Sequence, residues 1–301
     1  MQKSSEIKDT ATTGILEKAD SRLANMWDSL KENKAAMVGL VIVTILILVA
    51  LLGRFILPYD PNIGDLTQSL KGPSPQHIMG TDEQGRDIFS RIIDGAKVSL
   101  RVGIIAVAFA LTIGIVLGSV SAYYEGKVDM VIMRVMDIML AIPSLLLAIA
   151  FMSALGKGID KAIFAIGFVT IPEYARIVRG CILSVKSNDY VNAARAIGNR
   201  DSAIIFKHIL PNVLSPIIVR ATLGISTAIL ETAALGFLGL GVQPPFAEWG
   251  SMLGSGRGYF FNAPYIVLFP GIAITITVLA FNLLGDGLRD ALDPKNTKKA
   301  G

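Results

Sequence analysis

Chemistry-bearing side chains are scarce in this 301-residue chain, and each scarcity closes a class of function. A single cysteine, Cys181, excludes an internal disulfide, and its expected place near the cytoplasmic face suits a reduced thiol with no assigned role. His77 and His208 are the only histidines and neither has another beside it, so no metal site is expected; His77 stays a minor candidate for a ligand contact. No Gly-x-x-x-x-Gly-Lys-Ser/Thr loop occurs to cradle phosphates, so no catalytic residue and no resident cofactor are assigned. The first 34 residues are too polar for a signal peptide, and no convincing cleavage site follows the first apolar run, which is expected to stay as an anchor.

Apolar residues, by contrast, are abundant. They make up 52% of the chain, and the mean hydropathy of +0.57 exceeds what a soluble domain of this length usually carries. Uncharged runs at Ala35–Gly53, Val102–Tyr124, Ile138–Gly156 and Gly258–Gly285 approach or exceed the roughly 20 residues that cross hydrocarbon as a helix. Two weaker segments follow the same pattern: Ala162–Pro172, interrupted by Glu173, and Val213–Val242, which holds Arg220 and Glu231.

Charge placement arbitrates between counts. Lys18, Arg22, Lys31 and Lys34 precede the first run, while Arg289, Lys295, Lys298 and Lys299 follow the last, so both termini are expected in the cytoplasm and the number of spans is even. Six spans also gather Arg176, Arg179, Lys186, Arg195, Arg200 and Lys207 into one cytoplasmic loop. The fold class expected is an all-α polytopic membrane protein with six transmembrane helices. Its parts are a cytoplasmic N-terminal segment with an interfacial helix (1–34), a first transmembrane helix (35–57), an external loop (58–97), a five-helix core with a cytoplasmic loop at 186–211 (98–286) and a cytoplasmic tail (287–301). The net charge of +4 then reflects topology, with no need to invoke nucleic acid.

Local signals refine this outline. Leu23, Met26, Trp27 and Leu30 repeat at helical spacing after the caps Asp20 or Ser21, as in a helix lying at the headgroups or against another subunit. In the external loop Thr81 and Gln84 match a capping box, and Ile88, Phe89, Ile92 and Ile93 line one side of a short amphipathic helix ending near Gly95. Asp82, Glu83, Arg86 and Asp87 are expected to shape the outer surface. Pro143, Pro172, Pro216 and Pro270 lie in or beside spans, where they bend helices. Glu231 is the clear ionisable group within a span, facing a pathway, contacting a partner subunit or held in an internal ion pair.

The cytoplasmic loop carries the sharpest motif. Tyr190-Val-Asn-Ala-Ala-Arg-Ala-Ile-Gly198, then Asp201 through His208-Ile-Leu-Pro211, reads as helix, turn, helix, with Asn188 or Asp189 capping the first piece, Gly198 closing it and Asp201 or Ser202 capping the second. Small residues at 193, 194 and 196 keep the first helix slim, and Arg195, Arg200 and Lys207 put charge around it, a shape suited to entering a cleft on a partner.

These residues resemble the membrane subunits of ATP-binding-cassette importers, whose cytoplasmic loop carries Glu-Ala-Ala, a glycine four residues on, and Ile-x-Leu-Pro. Ala193, Ala194, Gly198, Leu210 and Pro211 sit at that spacing; Asn192 stands for the Glu, and His208 for the usual Ile. Gly80-Thr-Asp-Glu-Gln-Gly-Arg-Asp87, Tyr174-Ala-Arg-Ile-Val-Arg-Gly180, Gly236-Phe-Leu-Gly-Leu-Gly-Val-Gln-Pro-Pro245 with Trp249-Gly250, Leu284-Gly-Asp-Gly-Leu-Arg-Asp290 and Asp293-Pro294 narrow the likeness to the second permease of the dipeptide and oligopeptide importers.

The resemblance implies a type I importer fold in a bacterial or archaeal cell membrane. It also implies a second permease in a heterodimer, two cytosolic ATPases that bind ATP and Mg, an external binding protein, surrounding lipid and a peptide cargo. ATPase docking falls to Asn192, Ala193, Ala194, Arg195, Gly198, Asp201, Leu210 and Pro211. Nickel chelates, glutathione or oligosaccharides are alternative cargoes within the branch. A stand-alone secondary transporter or intramembrane enzyme is the rival class, against which only one deep ionisable residue counts.

Overall fold

The computed structural model describes residues 26–292, which form helices and connecting loops. Asp20, Ser21, Leu23 and the basic residues of the outermost tails lie outside the described residues. Helix α1, described over 26–32, ends at Asn33, whose side chain accepts from the Ala36 amide at 3.1 Å and so caps the apolar helix α2 (Lys34–Leu52). Helix α3 (Ile88–Tyr124) is the longest, followed by α4 (Gly126–Leu140), α5 (Ser144–Leu155) and α6 (Ile159–Val185). Then come α7 (Asp189–Ala196), α8 (Asp201–Ala203) with π-helical and 3-10 turns to Asn212, α9 (Leu214–Phe237), α10 (Trp249–Gly256) and α11 (Tyr265–Leu292).

Glycines set the packing. Along α3, Ala106, Phe109, Gly114 and Gly118 meet Gly167, Tyr174, Ala175 and Val178 of α6 in rising order, so the two helices run side by side in the same direction. A methyl at Gly118 would overlap the Ala175 carbonyl, so its absence permits close backbone approach, as small residues do in membrane helix pairs. Helix α9 opposes α3, with Gly103 against Ile229 and Gly224 near Val107. Helix α11 opposes both α2 and α9: Gly39 meets Ala280, Gly287 meets Ala36, and Ser226 bonds Asn282 at 2.7 Å. Helix α10 climbs beside the end of α9, Gly250 at Ala233 and Gly254 at Phe237, so the chain between them doubles back first.

Four helices among the described residues are long and apolar enough to cross a bilayer: α2 with its terminal turn, α3, α9 and α11. The pair α4 and α5 passes only when taken together, across a 90° bend. That corrects the expectation of one run over Ile138–Gly156: Ala141 to Pro143 interrupt it, and Pro143 cannot continue a helix from α4. The count by length and apolarity is therefore four, or five with the bent pair, against the six expected from the sequence. Helix α6 falls short because Glu173, Arg176 and Arg179 lie within it. Both arginines belong to the helix, not to a loop, and bond Asp137 at 2.7 Å and Asp129 at 2.5 Å on α4.

Two further expectations change at the start of α3. No break occurs near Gly95, where the surface helix was to end; α3 runs on, and the bare Gly95 admits Trp249, whose Nε1 donates to the Ile92 carbonyl at 3.0 Å. The cap is Asp87, accepting from the Ser90 amide and hydroxyl at 2.8 Å each. Thr81 instead accepts from the Lys71 amide at 2.9 Å and donates to the Gln68 carbonyl. Pro216 bends nothing, since it lies in the first turn of α9 where a missing N–H is tolerated.

Candidate functional site

The segment from Asp189 to Asn212 folds as a bent pair of helical pieces against the ends of α3 and α6. Gly198 has φ +79°, and two bonds close the turn around it: the Gly198 amide to the Arg195 carbonyl at 3.0 Å and the Asn199 amide to the Ala194 carbonyl at 3.2 Å. This is the paired-bond helix stop that needs a left-handed residue just past the last turn. Val191, Ala194, Ile204, Ile205 and Ile209 turn inward onto Ala122, Val178, Ile182 and Ile217. Outward are Asn192, Ala193, Arg195, Gly198, Ile197 and Phe206, the last two 79% and 54% exposed.

Polar ties hold this segment to the membrane helices. The hydroxyls of Tyr123 and Tyr124, the last residues of α3, donate to the two oxygens of Asp201 at 2.7 and 3.3 Å. Arg195 lies over the Tyr123 ring at 5.8 Å. Lys186, following α6, donates to the Tyr123 and Ala122 carbonyls at 2.6 and 3.1 Å and to Glu125 at 2.7 Å, so it satisfies carbonyls that end α3. Asp201 was expected to cap or to dock; α8 has no side-chain cap, and its carboxylate points inward to the tyrosines. Asn188 likewise makes no cap bond to α7. Asn192, in the place of the usual Glu, donates to the Ser187 carbonyl at 3.2 Å. Leu210 is half-buried and Pro211 exposed at the far end of the segment.

Sequence reasoning missed the tyrosines, whose only signal was a pair of adjacent phenols where a span meets charged residues. It also missed Glu248, wholly buried before α10. Its oxygens accept from the Gly250 and Ser251 amides at 2.7 and 2.8 Å, and the Ser99 hydroxyl donates at 3.4 Å. Burial pushes the Glu248 carboxyl up to about 7, against those three stabilising bonds.

At the opposite end from the bent segment, Asp82, Arg86 and Arg91 are buried together. Arg86 Nε meets Asp82 at 2.6 Å, and Arg91 donates to the Pro61 and Pro245 carbonyls at 2.7 and 3.2 Å. These groups fasten the loop before α3 to the loop after α9, so they are structural more than surface-shaping. His77, the minor cargo candidate, bonds Asp87 at 2.9 Å and lies against Tyr59. No group of three or more potential metal ligands occurs among the described residues.

Glu231 sits half-buried on α9. Among the described residues it makes no ion pair, whereas Arg220, lower on the same helix, is paired with Glu173 of α6.

A polytopic helical bundle with a bolted, outwardly slim helical protrusion at one end defines the class: a membrane permease subunit that works with other subunits. The chain belongs to the family described as the inner membrane component of binding-protein-dependent transport systems, which matches residues 110–298. The description "N-terminal TM domain of oligopeptide transport permease C" matches residues 21–73. The chain is 51% identical over 269 residues to the dipeptide transport system permease protein DppC of Alkalihalophilus pseudofirmus, covering 89% of this chain and 88% of the relative. It is 45% identical over 281 residues to the di/tripeptide permease DppC of Pseudomonas aeruginosa, covering 91% and 93%. With the glutathione permease GsiD of Escherichia coli it shares 48% over 270 residues, 89% of each. Among solved structures, inward-facing MetNI methionine ABC transporter chains share the fold at a TM-score of 0.58 and 19% identity, covering 68% of this chain and 98% of that one.

Proposed function

We propose that this chain forms half of the translocation pathway of an ATP-driven peptide importer and takes force from a cytosolic ATPase through residues 190–211. The carrying observation is the two-faced segment: its inner face is packed and bonded to α3 and α6, and its outer face, with Ala193, Arg195, Ile197 and Phe206, is left uncovered. A second permease, two ATPases that bind ATP and Mg, and an external binding protein complete the assembly, and ATP is hydrolysed in those ATPases and not here. Docking rests on Asn192, Ala193, Arg195, Gly198, Leu210 and Pro211; Ala194, expected to dock, is buried on the inner face, and Asp201 acts from behind as the tie to α3. The relatives named for dipeptides and di/tripeptides support a peptide cargo.

Six crossings with both termini in the cytoplasm fit this reading. Helix α6 runs parallel to α3 over a shared length, its 27 residues reach roughly 40 Å at the helical rise, and Glu173, Arg176 and Arg179 within it are paired with α9 and α4. The chain must then return between them through α4 and α5.

The test is Gly198→Val in the assembled importer. A β-branched residue at φ +79° opens the turn, so peptide uptake is expected to fall at least about tenfold with the chain still inserted and the ATPases no longer stimulated by binding protein. Uptake at the wild-type rate removes the docking assignment. Competition of uptake by unlabelled dipeptide, tripeptide and glutathione then ranks the cargo.

A further inference from the structure

We propose that a cationic cavity at the end opposite the bent segment is the socket for an acidic side chain of the external binding protein, an inference that rests on the peptide-importer reading above. The cavity, about 320 Å³, lies among the loop before α3, the loop after α9 and helix α10. Four cations line it, Arg86, Arg91, Lys157 and Arg257, against two carboxylates, Asp82 and Glu83. Arg86 takes up both carboxylates, meeting Asp82 at 2.6 Å and Glu83 at 3.4 Å, and Arg91 reaches Asp82 at 3.4 Å. Arg91 commits Nη1 to the Pro61 and Pro245 carbonyls, and its Nη2 has no hydrogen bond among the described residues. Lys157 and Arg257 are exposed and form no ion pair among those residues. The cavity therefore carries positive charge in excess, and low-dielectric walls focus such a field on an entering anion. A carboxylate matches a guanidinium fork in both charge and planar geometry.

The floor and the rim decide which carboxylate enters. Arg86 and Arg91 are each 4% exposed and are fixed by the bonds above, so the floor is closed and a transported molecule would find no onward route. A group attached to a protein can enter and withdraw with each cycle. Exposed rings of Phe237 and Phe246 flank the cations, and Arg257 lies over the Phe237 ring at 5.7 Å. Arginine beside aromatic rings is the composition that protein contacts concentrate. A permanent contact with the second permease within the bilayer favours small residues that let backbones approach, whereas this cavity lies at the ends of α3, α9 and α11 and not along their faces.

Binding of the purified binding protein to the complex of both permeases and ATPases, titrated at rising salt, reads this contact. Wild-type affinity is expected to fall as salt screens it. Lys157→Gln combined with Arg257→Gln, both at exposed positions, is expected to lower affinity about tenfold at low salt and to flatten the salt dependence. Salt-independent affinity of the wild type overturns the proposal, as does wild-type affinity in the double variant. Weaker equilibrium binding of free trialanine by the double variant, with its affinity for the binding protein unchanged, overturns it and gives the cavity to the cargo. Loss of the second permease from the purified double variant also overturns it and assigns the rim to the subunit contact. Uptake of trialanine by wild-type cells, run in parallel, separates these failures from failure of the importer reading, which predicts that uptake.

Discussion

Glu248 shows how one side chain couples pH to the fold. It has both oxygens committed to backbone amides that begin α10, yet its complete burial holds the carboxyl near 7. The folded chain therefore binds this proton more tightly than the unfolded chain does. Stability from the group is fully present below the ordinary value of 4.5 and is lost as pH rises to about 7, with no further change above. The melting temperature of the detergent-solubilised protein should accordingly fall between those limits by more than in Glu248→Gln, whose curve lacks this component. Parallel curves for the two proteins would place the titration elsewhere. Nothing in the local sequence announced the burial, since Glu248 follows a loop of prolines and looks like an exposed cap; only the return of that loop against Ser99 and Gly236 encloses it.

At the scale of elements, the decisive contact is between the end of α3 and the segment after α6. Tyr123 and Tyr124 tie the tip of α3 to Asp201, so under the proposed function α3 is the lever on which a displacement of α7 and α8 would pull. The part-buried Tyr123 bond to the Asp201 carboxylate contributes about 1 kcal/mol. Tyr123→Phe and Asp201→Asn should each raise the number of ATP molecules hydrolysed per peptide imported severalfold, and the double variant should be no worse than the more severe single one. Fully additive losses would show that the two residues act apart.

The bent helical segment itself was legible from its small residues and Gly198, because the left-handed stop follows from residue type. Its anchorage was not, because Tyr123 and Asp201 are separated by 78 positions and meet only after α3 and α6 align. The apolar runs placed α2 and α9 within a few residues for the same reason of residue type, whereas the run at Gly258–Gly285 starts and ends seven residues ahead of α11. They misjudged α4 and α5, where a break inside an apolar stretch leaves hydropathy unchanged.

For the whole molecule, direction of travel is the quantity that joins fold to function. Helices α3 and α6 run the same way through matched contacts, and α9 and α2 run against them and α11 respectively. A chain so arranged puts the loop before α3 and the turn after α10 at one end, and residues 189–212 at the other. In a Cys181→Ser background, a membrane-impermeant maleimide added outside intact cells should label Phe261→Cys, at a site 95% exposed, and leave Arg195→Cys unlabelled until the membrane is opened. Labelling of both positions from outside would mean that α6 does not cross, the segment would then lie beyond reach of any cytosolic motor, and the lever through Tyr123 would have nothing to move it.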